Sequence, residues 1–296
     1  MPNLKEVKTR IKSVISTQQI TKAMKMVAAS KLRKAQDYIL QMRPYSEKLD
    51  GILNNVVQST QDTFQSEFAV EREVKNVLII PVSSDRGLCG AFNSNIFKQV
   101  VYTIQEEYAA YYDNDRLHIL PVGKKAYDFF RKRNFHVIAD YWDVFYQLSF
   151  DKVKLLAEYA MAGFIEEKYD KVIVVYNEFK NVATQVLKVE QFLPLVQEEE
   201  QPGQKAPGID FIFEPTTEFI VKELIPNSIK IKFYKAILES NASEHGARMT
   251  AMDQATDNAT ELLHDLRLAY NRTRQAAITK EILEIVGGAE ALAEGE

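Results

Sequence analysis

The chain has 296 residues, 46% hydrophobic and 26% charged, which suits a soluble protein of one or two domains with an apolar core. A single cysteine excludes an internal disulfide, and no stretch approaches the ~18 uncharged apolar residues of a membrane span. The net charge of −4 excludes nothing by itself, but its distribution is uneven. Residues 1–48 carry eleven Lys/Arg against three Asp/Glu, and residues 244–296 carry ten Asp/Glu against five Lys/Arg. Such asymmetry suggests termini that meet each other, or termini with different partners. The opening MPNLKEVKTRIK lacks an apolar signal core, so no secretory peptide is expected and any membrane connection should be indirect.

From Asn3 to Arg43 there is neither glycine nor proline, which predicts a first helix of ~60 Å. A seven-residue apolar spacing runs through Leu4, Val7, Ile11 and Val14 and resumes at Ala28, Leu32, Ala35 and Ile39. Between them the register lands on Gln18, Thr21 and Lys25, while Ile20, Met24 and Val27 make a displaced stripe. The spacing therefore predicts a seam that shifts partway along. Pro44 should end or bend this helix.

The middle alternates strand-like and helical patterns. Apolar or alternating runs at 77–84, 117–123, 136–141, 171–179 and 183–195 enclose helical patterns at 92–112, 123–133 and 150–168. That order predicts a mostly parallel sheet covered by helices, with the last run as an edge strand. The stretch QEEEQPGQKAPG (197–208) reads as a mobile polar loop. At the C-terminal end Met252, Ala259, Leu266 and Thr273 recur at seven, as do Ala255, Leu262, Ala269 and Ala276. A second helix of ~70 residues follows, interrupted or bent near IPN and EHG; patterns longer than ~25 residues point to a coiled coil. The expected organisation is a coiled-coil helix over 1–58, an α/β domain over 74–196, a mobile loop over 197–209 and a second coiled-coil helix over 210–292. The fold class is α/β plus coiled coil: about five mostly parallel strands, Rossmann-like, inserted between two long terminal helices.

The turn SSDRGLCGAFN (83–93) stands where a phosphate loop would, after a strand and before a helix. Its letters do not fit one. A dinucleotide loop needs three glycines at G-x-G-x-x-G, and only Gly87 and Gly90 are present. VGKKAY has Gly123 and Lys124, but Lys125 follows and His118 stands where a P-loop needs its first glycine. Cys89 as nucleophile would need an imidazole base, and the spacing of His118, His136, His245 and His264 assigns none. The histidines show no metal-ligand spacing either. Asp140 and Asp143 around Trp142, and the Glu run at 198–200, read as solvated charges. No catalytic residues, cofactor or metal are expected; Gly87 and Gly90 should permit a tight strand-to-helix bend with Cys89 as a small residue inside it. The basic first helix, with Lys5, Lys8, Arg10 and Lys12, leaves a salt-sensitive nucleic-acid-binding coiled coil as the alternative reading.

Four stretches resemble one family. ISTQQITKAMKMVAASKLRKAQ (15–36), SSDRGLCGAFN (83–93), ARMTAMDQATDNA (247–259) and YNRTRQAAITKEILEIVGGAEAL (270–292) are similar, in order, to the gamma subunit of F-type ATP synthases. The resemblance spans essentially the whole chain. It implies two terminal helices in an antiparallel coiled coil, and a non-catalytic shaft turning inside a ring of alpha and beta subunits. The foot of that shaft, with the epsilon subunit, sits on the membrane c ring that ion flow drives. No nucleic acid and no direct membrane insertion are implied.

Carried over residue by residue, the contact with the catalytic head falls on Met24, Arg248, Arg274, Gln275 and Thr279. Ile285, Val286 and Leu292 belong to the bearing tip, and Phe211, Phe213 and Glu214 to the foot. At the foot the family often has tyrosines where Phe211 and Phe213 stand. Asp85, Arg86, Gly87, Cys89 and Gly90 carry the family's turn signature. The two-cysteine thiol switch of chloroplast members cannot form with Cys89 alone. A bacterial member on the cytoplasmic face of the inner membrane is expected.

Overall fold

In a computed structural model the chain is described over residues 4–59, 67–182, 184–195 and 217–293. The elements run α1 (Leu4–Ser59), β1 (Val77–Pro81), α2 (Phe92–Glu107), α3 (Ala109–Asp113), β2 (Leu117–Ile119), α4 (Lys124–Arg131), β3 (His136–Val137), α5 (Phe150–Ile165), β4 (Lys171–Phe179), β5 (Gln185–Leu193) and α6 (Thr217–Ala293). Two compact units result: one from α1 up to Ala28 with α6 from Met249, the other from Ala29 to Arg248.

In the second unit the sheet order is β3-β2-β1-β4-β5. β1 pairs in parallel with β2 and β4, and β2 with β3, whereas β5 runs antiparallel along β4 as the expected edge strand. Every residue of β1 is buried, as an unbroken apolar run between two helical layers requires. Period-two alternation sorts the side chains. Leu78, Ile80, Val172 and Val174 face α5 through Leu156 and Phe164, and α6 through Ile229, Phe233 and Ile237. Val77, Ile79, Ile173 and Val175 face α2 through Ile96 and Val100, and α4 through Phe130. Each such fully buried aliphatic side chain contributes roughly 1.5–3 kcal/mol.

Three expectations need correction. Pro44 does not end α1, nor do Pro226 or Gly246 interrupt α6; helix continues through all three. A mid-helix proline loses one hydrogen bond at a cost of ~3 kcal/mol, which buried neighbours such as Ile225 and Ile229 offset in α6. The single helix expected over 92–112 divides at Tyr108, whose φ of −127° and ψ of 19° leave the helical region while its ring is buried in the core.

The third correction concerns the seam of the first unit. Val7, Thr21 and Ala28 are buried and Ile11, Val14, Gln18 and Lys25 half-buried, so one heptad register runs on without shifting. Its polar members have polar partners. Gln18 Nε2 donates to Thr260 Oγ1 at 2.7 Å, the Thr21 and Thr256 hydroxyls meet at 2.8 Å, and Lys25 pairs with Asp253. Rising numbers on α1 meet falling numbers on α6, so the pair is antiparallel. The α6 side of the seam is Met252, Thr256, Ala259, Leu263 and Leu266; the alternative register through Ala255 and Leu262 is less covered.

Candidate functional site

The turn after β1 is built by hydrogen bonds that its letters did not announce. Ser83 Oγ accepts from the Ala126 amide at 2.8 Å, and Asp85 Oδ1 accepts from the Lys124 amide at 3.0 Å, so the turn holds the first turn of α4. Asn93 Oδ1 accepts from the Ser84 amide at 3.0 Å, and Asn93 Nδ2 donates to Cys89 Sγ at 3.2 Å. Cys89 is buried, and that burial pushes its thiol pKa up. A protonated, packed thiol accepts hydrogen bonds and is a poor nucleophile.

The bend is tight at Leu88 and Gly90, whose φ values are 65° and 59°. Gly90 therefore plays the part expected of it. Gly87 does not: it has ordinary backbone, and an added Cβ would find only Lys125 Cε, at 3.9 Å. The demanding glycine is Gly123, with φ 95° and the Ser83 carbonyl oxygen 2.2 Å from where a Cβ would stand. Its position between a strand pattern and a helix pattern is the signal that the sequence offers for it.

Arg248 closes the turn from α6. Its guanidinium donates to the Arg86 carbonyl at 2.9 Å and the Gly87 carbonyl at 3.2 Å, and it pairs with Glu244 one helical turn earlier. Burial pushes the Glu244 pKa up, and the Arg248 charge works against it. The side chain of Arg248 is only 13% exposed, so within this unit it is spent inward.

The remaining head-contact residues lie in the first unit. Met24 is half-buried at the edge of the seam, level with Asp253. Arg274, Gln275 and Thr279 are exposed on α6, and the Thr279 hydroxyl donates only to the Gln275 carbonyl at 2.9 Å. About 20 residues, hence ~30 Å of helix, separate the two levels, so they form no single cluster. Beside the seam, Ile20, Met26 and Val27 are exposed. Every residue from Ile278 to Ala289 is exposed, including Ile278, Ile282, Leu283, Ile285 and Val286. The Leu292 side chain, Phe211, Phe213, Glu214 and the loop over 197–209 fall outside the described residues. Among the described residues no group of three or more His, Cys, Asp or Glu could hold a metal ion, and no helix is long and apolar enough to cross a membrane.

In class, these features define a paired-helix protein with an inserted parallel-sheet unit. A family model described as ATP synthase matches residues 3–292. The chain is 56% identical over 293 residues to the ATP synthase gamma chain of Cytophaga hutchinsonii, covering 99% of each. It is 54% identical to that of Christiangramia forsetii, again covering 99% of each. Among solved structures, a chain of the Tetrahymena thermophila mitochondrial ATP synthase central stalk and c ring is 26% identical, with a TM-score of 0.58 over 80% of this chain and 99% of that one. A chain of the Euglena gracilis mitochondrial ATP synthase OSCP/F1/c-ring structure shares the fold, with a TM-score of 0.65 and 22% identity over 99% of this chain and 95% of that one. The chain belongs to the ATP synthase gamma chain family, and so to a membrane-associated complex.

Proposed function

We propose that this chain is the rotating central shaft of a bacterial ATP synthase, joining ion flow through a membrane c ring to conformational change in a catalytic head of alpha and beta subunits. The observation that carries the reading is the bare apolar end of α6. Ile278, Ile282, Leu283, Ile285 and Val286 are 48–71% exposed on a helix that the rest of its unit does not cover. A contiguous exposed apolar surface marks an interaction site. Ile285, Val286 and Leu292 serve as a greasy bearing whose contacts are non-directional and do not lock.

The shaft itself is non-catalytic. Presenting different faces to otherwise equivalent catalytic subunits, it stabilises a different set of open and closed states at each angle, so rotation shifts their populations in turn. Met24, Arg248 and the exposed Arg274, Gln275 and Thr279 meet the head. Phe211, Phe213 and Glu214 meet the c ring, with the epsilon subunit beside them, and the complex lies on the cytoplasmic face of the inner membrane. Lys5, Lys8, Arg10 and Lys12 fit a solvated coiled-coil face, and no observation favours a nucleic acid there. Purified alone the chain should not hydrolyse ATP; mixed with alpha and beta subunits it should bind and create unequal nucleotide affinities. Hydrolysis by the isolated chain at the rate of the assembled head would refute this reading.

A further inference from the structure

We propose that the second unit carries a binding site for a phosphate-class oxyanion, at the carboxyl end of β1 between the signature turn and α6. This goes beyond the shaft function and does not depend on it. A cavity of about 280 Å³ opens there, lined by residues of α1, the turn, the segment before α5, and α6. The sheet order β3-β2-β1-β4 reverses direction of growth at β1, and the crevice beyond such a switch point is where open α/β sheets bind ligands.

The chemistry of the lining selects the ligand. Lys31, Arg86 and Arg248 face the cavity with Asp85 and Glu244, an excess of one positive charge. Both carboxylates are already engaged: Asp85 on the Lys124 amide and Glu244 on Arg248. Lys31 and Arg86 are exposed at the rim, and the Lys31 charge is felt inside, acting on both Glu244 and His245. Ser240 is 1% exposed, lines the cavity, and has a hydroxyl without a hydrogen-bond partner. Asn241 adds an amide donor. The uncommitted groups thus include two cations and two neutral donors, while both carboxylates are spent; His245 also lines the cavity, with its Nδ1 3.3 Å from Glu244 Oε2. Such a set matches the charged oxygens of a phosphate group. Phe145 and Tyr146 form an aromatic wall that could stack on a base, so the phosphate is either free or carried by a nucleotide.

The test is titration calorimetry of the full chain with orthophosphate and, separately, ADP, at fixed ionic strength made up with chloride. Saturable millimolar or tighter binding is expected, weakened roughly tenfold by Lys31→Ala and severalfold by Ser240→Ala, and unchanged by Lys180→Ala. Similar binding of both titrants supports a site for free phosphate; binding of ADP alone supports one for a nucleotide phosphate. Melting curves of the variants establish that they fold, since Lys31 is exposed and Ser240→Ala removes one oxygen. No saturable binding of either titrant, or undiminished binding in folded Lys31→Ala, would overturn the site.

Discussion

The hydroxyls of Thr21 and Thr256 meet 2.8 Å apart across the seam of the paired termini, at a position where a coiled coil ordinarily buries an apolar side chain. Each also donates within its own helix or accepts from its partner: Thr21 can reach the Gln18 carbonyl at 3.0 Å and Thr256 the Met252 carbonyl at 2.7 Å. With Gln18–Thr260 on one side and Lys25–Asp253 on the other, they make a polar layer that fixes register. Thr21→Val should cost about 1 kcal/mol, and Thr256→Val about the same, while the double variant should cost less than the sum. A double-mutant cycle by urea unfolding reads this directly. Strict additivity would mean the two hydroxyls do not interact.

Arg274 and Gln275 are exposed and contribute little to the chain's own stability. Arg274→Ala with Gln275→Ala should shift unfolding by no more than about 0.5 kcal/mol. In the assembled complex the same pair should slow or uncouple ATP synthesis. Normal coupled synthesis by the double variant would remove these residues from the head contact.

Two glycines near the turn should behave oppositely. Gly123→Ala forces a side chain onto φ 95° and against the Ser83 carbonyl, and should destabilise by about 3 kcal/mol or more. Gly87→Ala has room and ordinary backbone, and should stay within about 0.5 kcal/mol. Chemical denaturation of the two variants side by side checks the geometry of the bend. Equal losses would contradict it.

His245 links stability to pH. Burial, then the charges of Arg248 and Lys31, push its pKa down to about 4. In the unfolded chain it titrates near 6.5, so the unfolded state binds the extra proton between those values. The stability due to neutral His245 is whole above pH ~6.5 and drains as pH falls toward about 4, by about 3 kcal/mol in all. Glu239 and Glu244, with pKa values pushed up by burial, work in the opposite sense, so the comparison of parent with variant is the readout. His245→Gln should flatten the acid limb of stability relative to the parent. Parallel curves from pH 7 to pH 4 would contradict the assignment.

Much of this architecture is legible in the residues. Continuous apolar runs such as VLIIP announce strands buried on both faces, and a 77-residue stretch with one proline and few glycines announces α6. The seam is less legible, because Gln18, Thr21 and Lys25 look like interruptions until their partners on α6 are known, 228–242 residues away. Period alone favoured Ile20 and Val27, which are exposed. Arg248 reads as a surface cation from its neighbours; only the fold brings it under the Arg86 and Gly87 carbonyls. Lys31, Ser240 and His245 carry no motif, since their meeting depends on how α1 and α6 pass the turn within the second unit.

Rotation under load tests the central claim most directly. Lys180 is exposed on the α/β unit while Cys89 is buried, so Lys180→Cys gives a single reactive handle for a bead. With the alpha and beta subunits fixed to a surface, added ATP should drive the bead in one direction for many turns. A complex that assembles and hydrolyses ATP at full rate while the bead stays still, or only jitters, would contradict a rotating shaft.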